Sequence, residues 1–284
     1  MKIAVISDIH GNVPALESVL LDVDQWRPDK LVVNGDVINR GPCSLAVLEM
    51  LEYFHPDTIY VKGNHEDFVK FAKANPVTDQ AFNYHLRCFA QWTADQLGDE
   101  WLDKVDKWLE SYDFTVSSPA FGDFGKTIHI THGSRMGNRD GIHFRLSEEE
   151  LRDKQVHHSD VFISSHTHLP MTRYVDDTLV MNTGSVGQPL DEDERAAYGR
   201  LYLDNDKIVG EIRRVNYDKE RAEKDFYSSG FMEHSGPVGQ LIFREHKFNR
   251  RYVGPFMNRY LTDINDGKIS VKAAVNRYLL ELES

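Results

Sequence analysis

Three short β-branched runs, KIAVIS at 2 to 7, KLVVN at 30 to 34 and TIYVK at 58 to 62, each give way to polar or glycine-containing residues and then to a helical pattern. Strand-like runs that alternate with helices are the βαβ signature of an α/β fold, and few other architectures accommodate them. The first helix is predicted from Asn12, a suitable N-cap, with Pro14 in its first turn and Leu16, Val19, Leu20 and Val23 on one face. The second follows Ser44, with Leu45, Val47, Leu48, Leu51 and Phe54 at core-facing spacing.

Residues 66 to 111 hold no strand signal and are rich in Phe, Trp and Leu, which predicts two or three helices laid over the sheet. Strand patterns return at 113 to 117, 127 to 131 and 160 to 164. From about 171 the runs RYV, TLVMN, YGRLYLD and KIVGEIRRV, separated by DD and DND turns, predict a run of antiparallel strands. After Val215 the chain reads as helical, and it ends in a stripe of Val271, Ala274, Val275, Tyr278, Leu279 and Leu282 behind a Ser270 cap. The segment FREHKFNRRY reads as a solvated helix face with its aromatics packed inward.

A length of 284 residues suits one large domain, or one domain with an appendage. The formal charge of -12 argues against a surface that holds long nucleic acid, while a small anionic substrate remains compatible where cations gather. Cys43 and Cys88 are too few for a disulfide framework or a thiolate metal cage, and the opening apolar run meets Asp8 too soon for a signal segment. The expectation is a cytoplasmic protein with no membrane span.

Five strand-like runs end in a polar cluster: SDIHGN with Asp8 and His10, NGDVINRG with Asp36, KGNHED with Asn64 and His65, THGS with His132, and SSHTH with His166 and His168. In α/β sheets, ligands collect at the carboxyl ends of strands, so five such ends are candidates for one site. Asp8 with His10 and His166 with His168 are i, i+2 pairs. In extended backbone each pair presents two side chains to one side of its strand end. Four His, two Asp and an Asn carbonyl form a sulfur-free ligand set that suits Mn, Fe, Zn, Ni or Mg. Seven ligands exceed one coordination shell with open positions, and two metals sharing a bridging carboxylate fit them. A lone D-x-H is more often a turn or capping pattern, so the weight rests on the five clusters together. Among the other histidines, His157 and His158 read as surface, His55 and His85 as structural, and His129 and His143 as ambiguous.

In order and position, SDIHG, GDVINRG, GNHED, THG and SHTH resemble the pattern of the calcineurin-like metallophosphoesterase superfamily, D-x-H, G-D, G-N-H-[ED], H and G-H-x-H. MNTGSVGQPLDEDERAAYG resembles the N-x-GSVGQP turn of its bacterial branch of small phosphodiesterases and diadenosine-tetraphosphatase relatives. The resemblance spans about residues 1 to 215. It implies a catalytic domain there, built as a four-layer αββα sandwich of two mixed β-sheets flanked by helices, with a helical C-terminal extension, 216 to 284, packed on it. It also implies one metal held by Asp8, His10, Asp36 and His168 and a second held by Asp36, Asn64, His132 and His166. Asp36 would bridge them, and manganese or iron is favoured. Such metals, about 3.5 to 4 Å apart, lower the pKa of a bridging water, so the implied reaction is in-line attack of metal-bound hydroxide on phosphorus.

By the same resemblance, His65 would protonate or steady the leaving oxygen. GDVINRGP is similar to the GDxxxRG element of protein phosphatases and diadenosine-tetraphosphatases, where the Arg forks onto phosphate, so Arg40 joins Asn64 and His65 as a substrate-contacting residue. Two departures stand out. Asn39 replaces the Asp that orients the catalytic His in the protein phosphatases, and Ser165 replaces the Gly before the H-x-H pair. In the loop HGSRMGNRDGIHFR, Arg135, Arg139 and Arg145 are either further cations for a polyanionic substrate or a solvated surface.

The expected function is hydrolysis of a small phosphorylated molecule, a nucleotide or diadenosine polyphosphate, by a dinuclear metal-dependent enzyme. A protein serine/threonine phosphatase is the nearest rival, opposed by Asn39 and by the close spacing of His166 and His168. A non-catalytic binding scaffold is opposed by the complete ligand set. The C-terminal helices are expected to serve as a lid, a homo-oligomer contact or an extra layer.

Overall fold

The three opening runs form β1 (Lys2–Ile6), β2 (Lys30–Asn34) and β3 (Ile59–Val61), paired in parallel in that order. The computed structural model describes residues 1–55, 57–76, 84–117, 125–155, 159–204 and 207–283. Between the first strands lie α1 (Val13–Trp26), whose first turn is capped by the Asn12 side chain accepting from the Ala15 N–H, and α2 (Ser44–Phe54). Next come α3 (Asn64–Ala74) and α4 (Tyr84–Asp106), the latter bent at Gly98. One bent helix beside α3 accounts for the two or three helices expected there.

The remaining strands are β4 (Ser111–Val116), β5 (Lys126–Thr131), β6 (Val161–Ser164), β7 (Met171–Val175), β8 (Thr178–Asn182), β9 (Ala196–Asp204) and β10 (Lys207–Val215), with α5 (Glu148–Lys154) before β6. They make two five-stranded mixed sheets, β10-β9-β1-β2-β3 and β4-β5-β6-β8-β7. The stretch after residue 171 is therefore not one antiparallel run. β7 and β8 form a hairpin whose inner strand runs parallel to β6, while β9 crosses to pair antiparallel with β1. Local alternation predicted the strands, but pairing is decided by which edge is free to receive them.

Side-chain alternation explains the layers. Ile3, Val5 and Val32 of the first sheet meet Ile128, Ile130, Val161, Ile163, Leu179 and Met181 of the second in a dry seam between the sheets. Their neighbours Ala4, Ile6, Leu31 and Val33 point the other way, into a core shared with α1 to α4. That core also receives the C-terminal helices α6 (Lys219–Ser228), α7 (Phe231–His234), α8 (Gly236–Phe248), α9 (Val253–Asn265) and α10 (Val271–Glu283), through Phe226, Phe231, Leu241, Ile242, Phe256 and Tyr260. On the far side of the second sheet, Phe162 and Val180 pack with Leu151 of α5. The helical layers are thus unequal, most of the described helix lying on the first sheet.

The terminal stripe holds through Val271, Ala274, Val275 and Tyr278, with Ser270 accepting from the Ala273 N–H, but Leu282 is exposed. His129 is structural: it is buried, stacks on Phe162 and bonds Asp113 at 2.6 Å. His55 is an exposed helix-end residue. His157, His158 and the side chain of His85 lie outside the described residues. Among the described residues, no helix is long and apolar enough to cross a membrane.

Candidate active site

All five polar clusters converge at the carboxyl ends of β1, β2, β3, β5 and β6. Asp8, His10 and His168 form one group whose ligand atoms lie within 4.8 Å of one another, and Asp36, His132 and His166 form a second. Asn64 stands at the N-terminus of α3 with its Oδ1 buried. Each group draws on both sheets, because Asp8, His10 and Asp36 follow strands of one, while His132, His166 and His168 follow strands of the other.

The backbone that delivers these side chains is not the extended one expected from their i, i+2 spacing. Asp8, His10, Asp36, Asn39, Arg40, His166 and His168 all have positive φ, between 48° and 69°. A left-handed conformation costs a non-glycine residue on the order of 1–3 kcal/mol, so the chain is held in these turns by its surroundings. The fastener is the GSVGQ turn. The Ser185 hydroxyl donates to the Asp8 carbonyl at 2.7 Å, the Gly187 N–H to the same carbonyl at 3.0 Å, and the Val186 N–H to the Ser7 carbonyl at 3.0 Å. Gly35 must be glycine: its φ is +79°, and a Cβ there would lie 2.6 Å from the Gly63 nitrogen and from His132 Nδ1. Ser165 leaves both following histidines in place, its hydroxyl accepting from Asn34 Nδ2 at 2.7 Å and lying 2.9 Å from the Thr183 hydroxyl.

The ligating atoms themselves favour cations. His10, His132 and His168 direct Nδ1 at the carbonyls of Asn39, Asn34 and Gln188, at 3.1, 2.8 and 2.5 Å. With the proton held on Nδ1, each Nε2 presents a lone pair, as in metal-binding imidazoles. The Nε2 atoms of His10 and His168 face each other at 3.2 Å, and His168 Nε2 lies 3.2 Å from Asp8 Oδ1. Asp8 Oδ1, Asn64 Oδ1, His132 Nε2 and His166 Nδ1 are buried with no hydrogen-bond partner. Acceptors that converge without donors are costly in a dry interior, and two divalent metals fit both the donor types and their grouping.

The electrostatics carry the same imprint. Burial opposes ionisation of Asp36, but His132 and His65 hold its carboxyl well below the usual carboxylate range. Burial likewise opposes the charge on His132, yet Asp36 at 3.2 Å carries it up to about 10. Burial, with His168 beside it, keeps His10 well below the ordinary imidazole range, and burial with His132 takes His166 down to about 4. The site is a buried anion whose charge His132 meets, with His10 and His166 beside it resisting protonation.

His65 borders the second group, and its N–H donates to Asp36 Oδ1 at 2.8 Å. Burial brings its pKa down to about 3. Asn39 answers the departure noted in the sequence: its Nδ2 lies 2.9 Å from His65 Nδ1. An amide donor there matches a neutral imidazole that carries its proton on Nε2. Glu66 was assigned no role from the sequence. Its carboxylate accepts from the N–H groups of Gly63, Asp36 and Val37 at 2.8, 2.9 and 2.9 Å and ties the β3 loop to the β2 loop. Burial and the Asp36 charge push it up to about 7. The signal was its place in GNHED, three residues after Gly63.

An open cleft of about 490 Å³ leads to both groups. Arg40, His65 and His143 line it. Arg135, Arg139 and Arg145 are exposed and stand outside the lining, which takes Asp140, Gly141 and His143 from that loop. FREHKFNRRY is not merely a solvated face. Glu245 and His246 are buried, Phe248 is exposed, and Glu245 and Arg251 line the cleft. Helical periodicity marked an inward face here but not that it faces a site.

Three comparisons bear on this geometry. The model of the calcineurin-like phosphoesterase superfamily domain matches residues 1–206. Phosphodiesterase YfcE of Escherichia coli is 28% identical over 216 residues, which cover 73% of this chain and 90% of YfcE. An uncharacterized protein of Methanocaldococcus jannaschii is 26% identical over 238 residues, which cover 78% of this chain and 89% of that protein. Among solved structures, a metallophosphoesterase from Sphaerobacter thermophilus shares the fold, with a TM-score of 0.67 at 22% identity over 88% of this chain and 99% of that one. Family match, paired mixed sheets and two Asp/His groups at the strand ends agree, and the chain belongs to the calcineurin-like phosphoesterase superfamily, whose members are metal-dependent phosphoesterases.

Proposed function

We propose that the protein hydrolyses a phosphate ester or phosphoanhydride of a small molecule, a nucleotide or dinucleoside polyphosphate, at a pair of metal ions, with manganese or iron favoured. The observation that carries this reading is the convergence of six Asp and His side chains in two groups, with partnerless buried atoms on Asp8, His132 and His166 among them. Asp8, His10, Asp36 and His168 would hold one ion, and Asp36, Asn64, His132 and His166 the other. Bound there, the ions supply Lewis acidity toward water and phosphoryl oxygens. His65 holds a proton at Nε2, because Nδ1 accepts from Asn39, and from the cleft wall it steadies the leaving oxygen with a hydrogen bond. Arg40 spends Nε on Gln188 and Nη2 on Glu245, and its remaining N–H groups serve a non-bridging oxygen.

Metal analysis combined with hydrolysis of p-nitrophenyl phosphate, its bis-ester and diadenosine tetraphosphate tests the reading. About two metals per chain and turnover of at least one substrate are expected. A metal-loaded protein inert toward all three, and toward phosphoprotein, would refute it.

A further inference from the structure

We infer that the C-terminal extension builds part of the substrate site: Arg251 binds an anionic group beyond the scissile phosphoryl, and Glu245 is the residue that positions it relative to Arg40. This rests on the phosphoesterase reading above and names the substrate class, a molecule with a second phosphoryl group next to the one that is cleaved.

Glu245 lies in α8 and is 2% exposed. Its Oε2 pairs with Nη2 of Arg40, and its Oε1 accepts from the N–H groups of Tyr252 and Val253 at 2.8 and 2.9 Å. Those N–H groups open α9, where a helix has no internal acceptor and favours negative charge. One buried carboxylate therefore fixes both the guanidinium of Arg40 and the turn that carries Arg251.

Charge decides what each arginine can do. The charge of Arg40 is met by Glu245, and on the same cleft wall Lys154 is met by Asp140. Arg251 stands exposed at the mouth of the cleft, and its Nη2 donates to the Thr167 carbonyl, between His166 and His168, at 2.9 Å. Among the described residues no carboxylate forms an ion pair with it. Partial burial weighs against its charge, Glu245 attracts it, and Arg145 and Arg40 repel it. The mouth thus keeps a net cation a short step out from the two metal-type groups. A lone phosphoryl has its charge met at those groups, so a guanidinium at the mouth gains only from a further anion, and a second phosphoryl matches its planar fork.

The test uses the full chain and its Arg251→Ala, Arg251→Lys and Glu245→Gln variants. Binding of inorganic phosphate and of ADP is measured by calorimetric titration, with kcat and KM on ADP and p-nitrophenyl phosphate beside it. Arg251→Ala should weaken ADP binding by about tenfold or more relative to its effect on phosphate. Arg251→Lys should recover only part of that loss, because an ammonium cannot fork. Glu245→Gln should raise KM for ADP more than it lowers kcat. Equal effects on phosphate and ADP, or none on either, overturn the assignment. The binding ratio decides Arg251 whether or not turnover occurs, whereas absence of turnover on every substrate sinks the phosphoesterase reading instead.

Discussion

Asp36→Asn probes the whole site with the smallest change of shape. Oδ1 of Asp36 is committed to the His65 N–H at 2.8 Å, so the new amide keeps its oxygen there. Its NH2 then faces His132 Nε2 and His10 Nε2, where Oδ2 lay at 3.2 and 4.0 Å. An NH2 has no lone pair to share, and on the proposed assignment both ions would lose their common ligand at once. A metal present at about 1,000 times its dissociation constant stabilises the fold by about 4 kcal/mol. For 284 residues the unfolding entropy near the midpoint is about 0.6 kcal/mol/K, so each metal is worth about 7 °C. Wild type should therefore melt about 14 °C higher in saturating manganese than after chelation, and the variant should lose at least half of that gap together with turnover. After chelation the variant should still melt below wild type, by about 3 kcal/mol or about 5 °C, because Asp36 and His132 pair at 3.2 Å in the interior and the substitution removes one partner of that pair. Scanning calorimetry of both proteins in both states, with elemental analysis, supplies every quantity. A variant that keeps two metals and the full shift refutes the shared-ligand assignment.

Three further outcomes follow from particular contacts. Asn39→Asp replaces the amide donor beside His65 Nδ1 with a carboxylate and should raise the His65 pKa by about 1–3 units, seen as movement of the pH–rate profile or by NMR of the imidazole. Gly35→Ala drives a Cβ to 2.6 Å from the Gly63 backbone at positive φ and should cost about 3 kcal/mol or more, measured by denaturant titration, with loss of metal. Burial, with Lys219 nearby, lowers His246 to about 4 from an ordinary 6.5. The unfolded chain thus binds the proton that the fold refuses, so stability is full above about pH 6.5 and falls toward pH 4, by about 3 kcal/mol from this group. His246→Leu should flatten that part of the melting curve against pH, and an unchanged slope would remove His246 from the account.

The parts of this molecule that were readable in its sequence are those governed by short-range rules. Ile3 and Val5 alternate with Ala4 and Ile6 because a strand buried on both faces sends successive side chains to two cores, and Asn12 announces a helix because an Asx side chain satisfies a free N–H. The seven candidate positions were legible for a related reason, as each follows closely on such a strand. The left-handed turns were not legible, since extended backbone is the cheaper conformation for Asp8 and His168 until Ser185 and Gln188 bond to them. Nor was the pairing of Arg40 with Glu245, which lie 205 residues apart. A helix pattern states that Glu245 points inward and is silent on what waits there.

Because each metal-type group takes residues from both sheets, neither group exists on a chain that has formed only one of them. Making the centre requires a closed seam between Ile3, Val5 and Val32 on one side and Ile128, Ile130 and Ile163 on the other. Loading of the proposed ions would therefore report on assembly: a half-built chain, or one nicked and splayed by a protease, would lose both groups together.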